Sequence, residues 1–177
     1  LNALSSAQVQ AIETADVAAL TSAQVSGLST SGVAALTSSQ VNALSSVQLQ
    51  ALSSAQLNAL DTADLAAIAT DKITSLTATQ IGGLNTTQLN ALSTDQVQAL
   101  TASQVKGLTT VQMDSLSTAS VKALTTTQMD ALLATQLNAL DSSQIAAIQT
   151  TDVASLTTAQ IVALTSSQFG ALEVTDL

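Results

Sequence analysis

The chain has 177 residues, 46% of them hydrophobic, yet it holds one aromatic residue, Phe169, and no Pro, Cys, His or Trp. With 12 acidic residues against three Lys (Lys72, Lys106 and Lys122), the net charge of −9 argues against nucleic acid, whose phosphates need cations. Disulfides and thiolate metal sites are excluded by composition, and Ser, Thr and Gln interrupt every apolar run well short of the roughly 18 residues needed to span a bilayer.

From Leu4 to Leu172 the chain is one octad repeated without insertion or deletion. Its eight slots read Ser/Thr, Ser/Thr, variable, Gln, aliphatic, variable, Ala, Leu, as in Ser93-Thr94-Asp95-Gln96-Val97-Gln98-Ala99-Leu100. The whole of 1–177 is therefore one repeat array, with no linker or composition shift inside it. Leu1–Leu4 and the end at Leu172–Leu177 are partial octads, so an excerpt of a longer array is expected, or a subunit whose ends neighbours cover. The apolar faces at Leu1/Leu4 and at Leu172/Leu177 lack a polar capping unit. Head-to-tail stacking of identical copies is the expected contact.

Each octad spells a helix start. A first-slot Ser or Thr can accept from the N–H three residues on, and the Gln there can reach back to the cap N–H, a reciprocal capping box. The preceding Leu and the following aliphatic residue sit at the positions of a hydrophobic staple. The pattern is explicit at Leu44-Ser45…Gln48-Leu49, Leu52-Ser53…Gln56-Leu57 and Leu100-Thr101…Gln104-Val105. A start every eight residues limits each helix to about one and a half turns. In one continuous helix the apolar pair would drift by about 80° per octad. Helices this short are marginal alone and must stack.

The sequence thus predicts an all-α solenoid of one- to two-turn helices, one per octad; it does not say how many octads complete a superhelical turn, and three is a guess. Leu, Val and Ala are expected inside, and Ser, Thr, Gln and Asn outside. A β-solenoid is the alternative fold, because Val, Ile and Thr favour strands and stacked Gln can form amide ladders.

Departures from the octad are informative. Glu13, Ala69, Leu133, Gln149 and Glu173 stand where a Ser/Thr cap is usual, which predicts weaker helix starts. Asp16, Asp64 and Asp152 replace Gln, keeping an acceptor and a negative charge in the first turn. Gly32, Lys72 and Ser120 break that slot altogether. Gly27, Gly83 and Gly107 replace the Ala before Leu, where a neighbouring backbone can come close. No longer period, of two or three octads, is evident in these departures taken by themselves.

Candidate chemistry is thin. A catalytic Ser needs a base, usually His, and there is none; Ser–Lys pairs around Lys72, Lys106 or Lys122 are the only substitute, with the last two in the solvated sixth slot. The carboxylate pairs Glu13/Asp16 and Asp61/Asp64 suit acid–base work only inside a cleft, and capping already accounts for them. No calcium-loop pattern occurs. Met113, Met129 and Phe169 fill the aliphatic slot and are expected in the core. No catalytic, cofactor-binding or metal-binding residue is assigned, and no enzyme activity or cofactor is expected.

The run Ala99-Leu100-Thr101-Ala102-Ser103-Gln104-Val105-Lys106-Gly107-Leu108 and its copies resemble repeat tracts of very large bacterial secreted or surface proteins, of the type labelled haem-utilisation or adhesion exoproteins. The resemblance implies an extracellular or cell-surface structural role: a spacer, stalk or filament body whose partners are neighbouring repeats or identical copies. An adhesin module that turns its Ser/Thr/Gln face to carbohydrate or another cell is the alternative. With no His, Cys or Tyr, the segment has no haem ligand set.

Overall fold

In the computed structural model, residues 2–172 are described; Leu1, Glu173 and Leu177 lie outside them. The described residues form 21 α-helices of four to six residues and no strand, one helix per octad. The helical solenoid therefore stands and the β-solenoid does not.

The unit is built locally. In the octad from Thr37, helix α5 (Ser38–Ala43) opens with Thr37 extended at φ −82° and ψ 159°, and its cap hydroxyl accepts from the Gln40 N–H. One α-helical bond, from the Val41 N–H to the Thr37 carbonyl, is followed by a tighter one from the Leu44 N–H to the Val41 carbonyl. Leu44 is then extended at φ −60° and ψ 135°, and the next octad begins. Two extended residues, Leu44 and the next cap Ser45, turn this corner, and the same pair recurs at Leu52/Ser53 and Leu124/Thr125. No described residue has a positive φ or a cis peptide bond, so the corners need neither Gly nor Pro. That explains their scarcity without a β architecture.

Helices pack on the helix three places further along. Thus α5 packs on α2 (Thr14–Ala18) and α8 (Thr62–Ala66), and α13 (Ala102–Lys106) packs on α10 (Ala78–Gly82) and α16 (Thr126–Ala131). One superhelical turn is therefore three octads, a number the sequence left open, and the described residues complete seven turns.

The core is a column filled from two slots. Val41, Leu49, Leu57, Leu65, Ile73 and Ile81 supply the fifth slot, and Leu44, Leu52, Leu60, Ile68, Leu76 and Leu84 the eighth; all are buried. Met113 and Met129 are buried in line with them. Phe169 occupies the same slot yet is 45% exposed, because no described turn follows α21 (Ser166–Ala171). Alanine is not the inward residue expected: among seventh-slot Ala residues only Ala35 and Ala123 are buried, and the rest lie at the margin or in solvent.

Weak caps appear where the cap residue is wrong. Glu13, Ala69, Leu133 and Gln149 make no side-chain cap bond. The glycines behave in two ways. A Cβ on Gly107 would meet the Ala78 carbonyl at 2.9 Å, and one on Gly82 would collide with the Gly107 carbonyl, so α10 and α13 approach closely. At Gly27 the nearest atom is the Ala23 carbonyl of its own helix, and no neighbouring backbone approaches.

Candidate functional site: the corners between turns

The placement of the fourth-slot glutamines differs most from expectation. They are inside. Gln40, Gln96, Gln128 and Gln136 are at most 2% exposed, and each closes two helix ends at once.

Gln128 is representative. Its Oε1 accepts from the Thr125 N–H at 2.7 Å, closing the start of α16. Its Nε2 donates to the carbonyls of Val97 (2.8 Å), Gln98 (3.2 Å) and Leu100 (2.6 Å), at the end of α12 (Thr94–Ala99). The spacings are 31, 30 and 28 residues, and they recur at Gln40, Gln48, Gln56, Gln80 and Gln96. Every helix end leaves backbone groups without intrahelical partners. Here one amide serves an N–H of its own helix and the last carbonyls of a helix one turn away. The polar side chain is buried because it is fully used. Gln8 and Gln24, on the first turn, keep the capping half and stay exposed.

Departures from Gln are handled in three ways. Lys72 donates its Nζ to the Asn42 carbonyl, 30 residues back, in place of an amide. Asp64 and Asp152 are buried and accept from the hydroxyls of Ser38 (2.7 Å) and Thr126 (2.6 Å) in the turn below. Burial pushes the Asp64 carboxyl above its ordinary value, against the opposing Ser38 bond, and the nearby Asp61 charge adds to the rise. Gly32, Ser120 and again Lys72 leave the cap N–H without its usual Gln oxygen. There a sixth-slot Asn from the turn below takes over: Asn2 Oδ1 accepts from Ser29 N–H at 2.7 Å, Asn42 from Ala69 at 3.3 Å, and Asn90 from Ser117 at 3.1 Å.

Asn2 and Asn90 also donate Nδ2 to the carbonyls of Gly27 (2.8 Å) and Ser115 (2.7 Å). The sixth slot is therefore not neutral at Asn2, Asn42, Asn58 and Asn90, contrary to its reading as freely variable. Gln98, in the same slot, is exposed. Asn58 shows the competition directly. It captures the Asn85 N–H at 2.8 Å, and Gln88 Oε1 is left buried without a partner.

The sequence-predicted chemical candidates do not converge. Lys72 is spent on a carbonyl, while Lys106 and Lys122 are exposed. Glu13 and Asp16 are both in solvent. Asp61 Oδ1 accepts from the Asp64 N–H at 2.8 Å, which is the capping role expected for that pair. Among the described residues no group of three metal-binding side chains gathers, and no helix is long and apolar enough to cross a membrane. The grooves are at the open first turn, one lined by Asn2, Leu20, Gln24, Gly27 and Leu28 and another by the apolar Val9, Val17, Leu28 and Leu36.

An eight-residue unit carrying Ala-Leu, two hydroxyl residues and a Gln that clamps the turns is the pattern of a described family. The ALTTAQ repeat model matches residues 9–46, 78–110 and 145–177, more than half of the chain. The chain belongs to the ALTTAQ repeat family. No curated protein and no solved structure matched it. Within the ALTTAQ unit, the Ala-Leu step ends one helix, the hydroxyl pair caps the next, and the Gln ties it to the turn below. The stretches between the matches, such as 47–77 and 111–144, follow the same geometry. Local capping was legible beforehand. The long-range half was not, although Asn standing 27 residues before the caps of the Gly32, Lys72 and Ser120 octads is a signal present in the sequence.

Proposed function

We propose that this ALTTAQ array is a non-enzymatic structural element, a spacer, stalk or filament body in a bacterial surface or secreted protein. The observation that carries this reading is the use of the polar side chains. From Gln40 onward the fourth-slot Gln amides are consumed in binding one turn to another, as at Gln128, and the outward slots hold small, mostly uncharged residues. Such a surface gives height and stiffness without demanding a ligand. Seven turns at the roughly 8–10 Å that separates packed helices give a rod about 55–70 Å long.

Neighbouring repeats are its natural partners. The contact each turn makes with the next is also available to an identical copy, and head-to-tail stacking is its intermolecular form. The extracellular setting rests on the resemblance to exoprotein repeat tracts. Lengthening the array by three octads and measuring the rod by electron microscopy tests the spacer reading. Length should grow by one helix spacing per three octads; a collapsed particle of constant dimension overturns it. Sedimentation at high concentration reports stacking, and a strictly monomeric chain removes the filament form. A glycan array separates the adhesin reading, which requires saturable carbohydrate binding.

A further inference from the structure

Near-identical octads pose a register problem that the fourth-slot Gln cannot solve. Every corner offers equivalent carbonyls, and nearly every octad offers a Gln. A turn of two or four octads would present each Gln with a corner of the same composition as a turn of three. Only octads lacking Gln can tell one register from another.

Three octads break the slot altogether, at Gly32, Lys72 and Ser120, and their caps are Ser29, Ala69 and Ser117. In all three the cap N–H is bound by an Asn 27 residues earlier: Asn2, Asn42 and Asn90. The chain has only five sixth-slot Asn residues, 2, 42, 58, 90 and 138. At Asn138 the corresponding N–H, of Thr165, is held by its own Gln168 at 2.8 Å. At Asn58 the contest goes to Asn, at the cost of an orphaned Gln88 oxygen. Asn and Gln oxygens thus compete for one donor, and the three octads with neither Gln nor Asp in the fourth slot sit where Asn is available.

We propose that Asn2, Asn42 and Asn90 are register locks: each closes, one turn above, a corner whose octad has neither Gln nor Asp in the fourth slot, and together they hold the array at three octads per turn. A four-octad turn would bring Ala34 and Gly82 to the caps Ala69 and Ser117, and neither has a polar side chain. A two-octad turn would bring Gln50 and Gln98. Gln50 is one methylene longer than Asn, and in the observed register it reaches a carbonyl, that of Ser75, and no cap N–H. The wrong registers therefore forfeit a hydrogen bond at each of these corners and leave the cap N–H to water, so that a few polar residues bias the alignment as a single one does in a coiled coil. The lock does not depend on what the array carries, so it stands or falls separately from the spacer reading.

The test is amide hydrogen exchange on the full chain, read residue by residue. Asn90→Ala should speed exchange at Ser117 by about tenfold, the loss of one hydrogen bond. Adding Ser120→Gln should restore protection, because the introduced amide supplies the missing oxygen. Asn138→Ala should leave Thr165 unchanged. A grafted pair tests the spacing itself. Gln96→Ser exposes the Ser93 N–H. Adding Ala66→Asn, which stands to Ser93 as Asn90 stands to Ser117, should recover protection at Ser93. Thr74→Asn, one octad nearer to the cap, should not. Unchanged exchange at Ser117 in Asn90→Ala, or equal rescue by Ala66→Asn and Thr74→Asn, overturns the lock.

Discussion

Gln96 and Ile68 are 28 residues apart, yet the Gln96 Nε2 donates to the Ile68 carbonyl at 2.7 Å while its Oε1 accepts from Ser93 N–H at 2.9 Å. The side chain joins the beginning of one helix to the end of another a turn below. Gln96 is 1% exposed, and its bonds to the Leu65 and Ile68 carbonyls are buried, out of reach of water. Removing the amide therefore leaves buried backbone groups without partners.

Gln96→Ala is expected to cost about 1–3 kcal/mol, the penalty of stranded buried polar groups. Gln98→Ala, two residues on and exposed, should stay within about 0.5 kcal/mol. Denaturation followed by circular dichroism at 222 nm measures both. Equal losses at the two positions would contradict the clamp.

Leu92 fills the eighth slot and is 5% exposed. Leu92→Ala should cost about 2–5 kcal/mol through lost burial and the residual cavity. A repeat stack transmits such damage mainly to adjacent turns. Exchange should therefore accelerate first around the neighbouring Leu65, Ile68 and Leu116, and a uniform acceleration along the chain would argue for a single cooperative unit.

Asp64 gives a pH signature. Burial holds its folded-state carboxyl above the ordinary value near 3.8. Between that value and the raised one, the folded state binds more protons than the unfolded state, so this site's contribution to stability falls as pH rises through the window. Asp64→Gln removes the buried charge and places an amide toward the corner carbonyls. Relative to the parent, the variant should gain stability as pH rises from about 3.8 to neutrality. Thermal melts of the two proteins across that range, taken as a difference, cancel the other carboxylates; a flat difference would show that folding does not raise the Asp64 carboxyl.

Two glycines of the same composition should respond oppositely. A Cβ at Gly107 meets the Ala78 carbonyl at 2.9 Å and the Ala78 Cβ at 3.0 Å, whereas one at Gly170 meets nothing within 4 Å. Gly107→Ala should destabilise by about 1–3 kcal/mol through overpacking of α10 on α13. Gly170→Ala, inside α21, should stabilise by about 0.5–1 kcal/mol from helix propensity. Melting temperatures moving in the same direction would remove the close-approach explanation.

The amino-acid sequence by itself determined everything decided within one octad. A cap hydroxyl, an amide three residues later and a Leu–aliphatic staple act over a single helical turn, so 21 short helices and their weak starts at Glu13, Ala69, Leu133 and Gln149 were legible from residue order. The two inward slots were legible too, because Leu44 and Val41 repeat at fixed offsets. What only the tertiary structure decided lies between turns. The buried place of Gln, the marginal place of Ala and the pairing of Asn90 with Ser117 depend on carbonyls and N–H groups 27 to 31 residues away. A sequence of near-identical octads presents such groups at every multiple of eight. The choice among them is made when extended corner residues such as Leu44 and Ser45 turn the chain so that the fourth helix lies on the first.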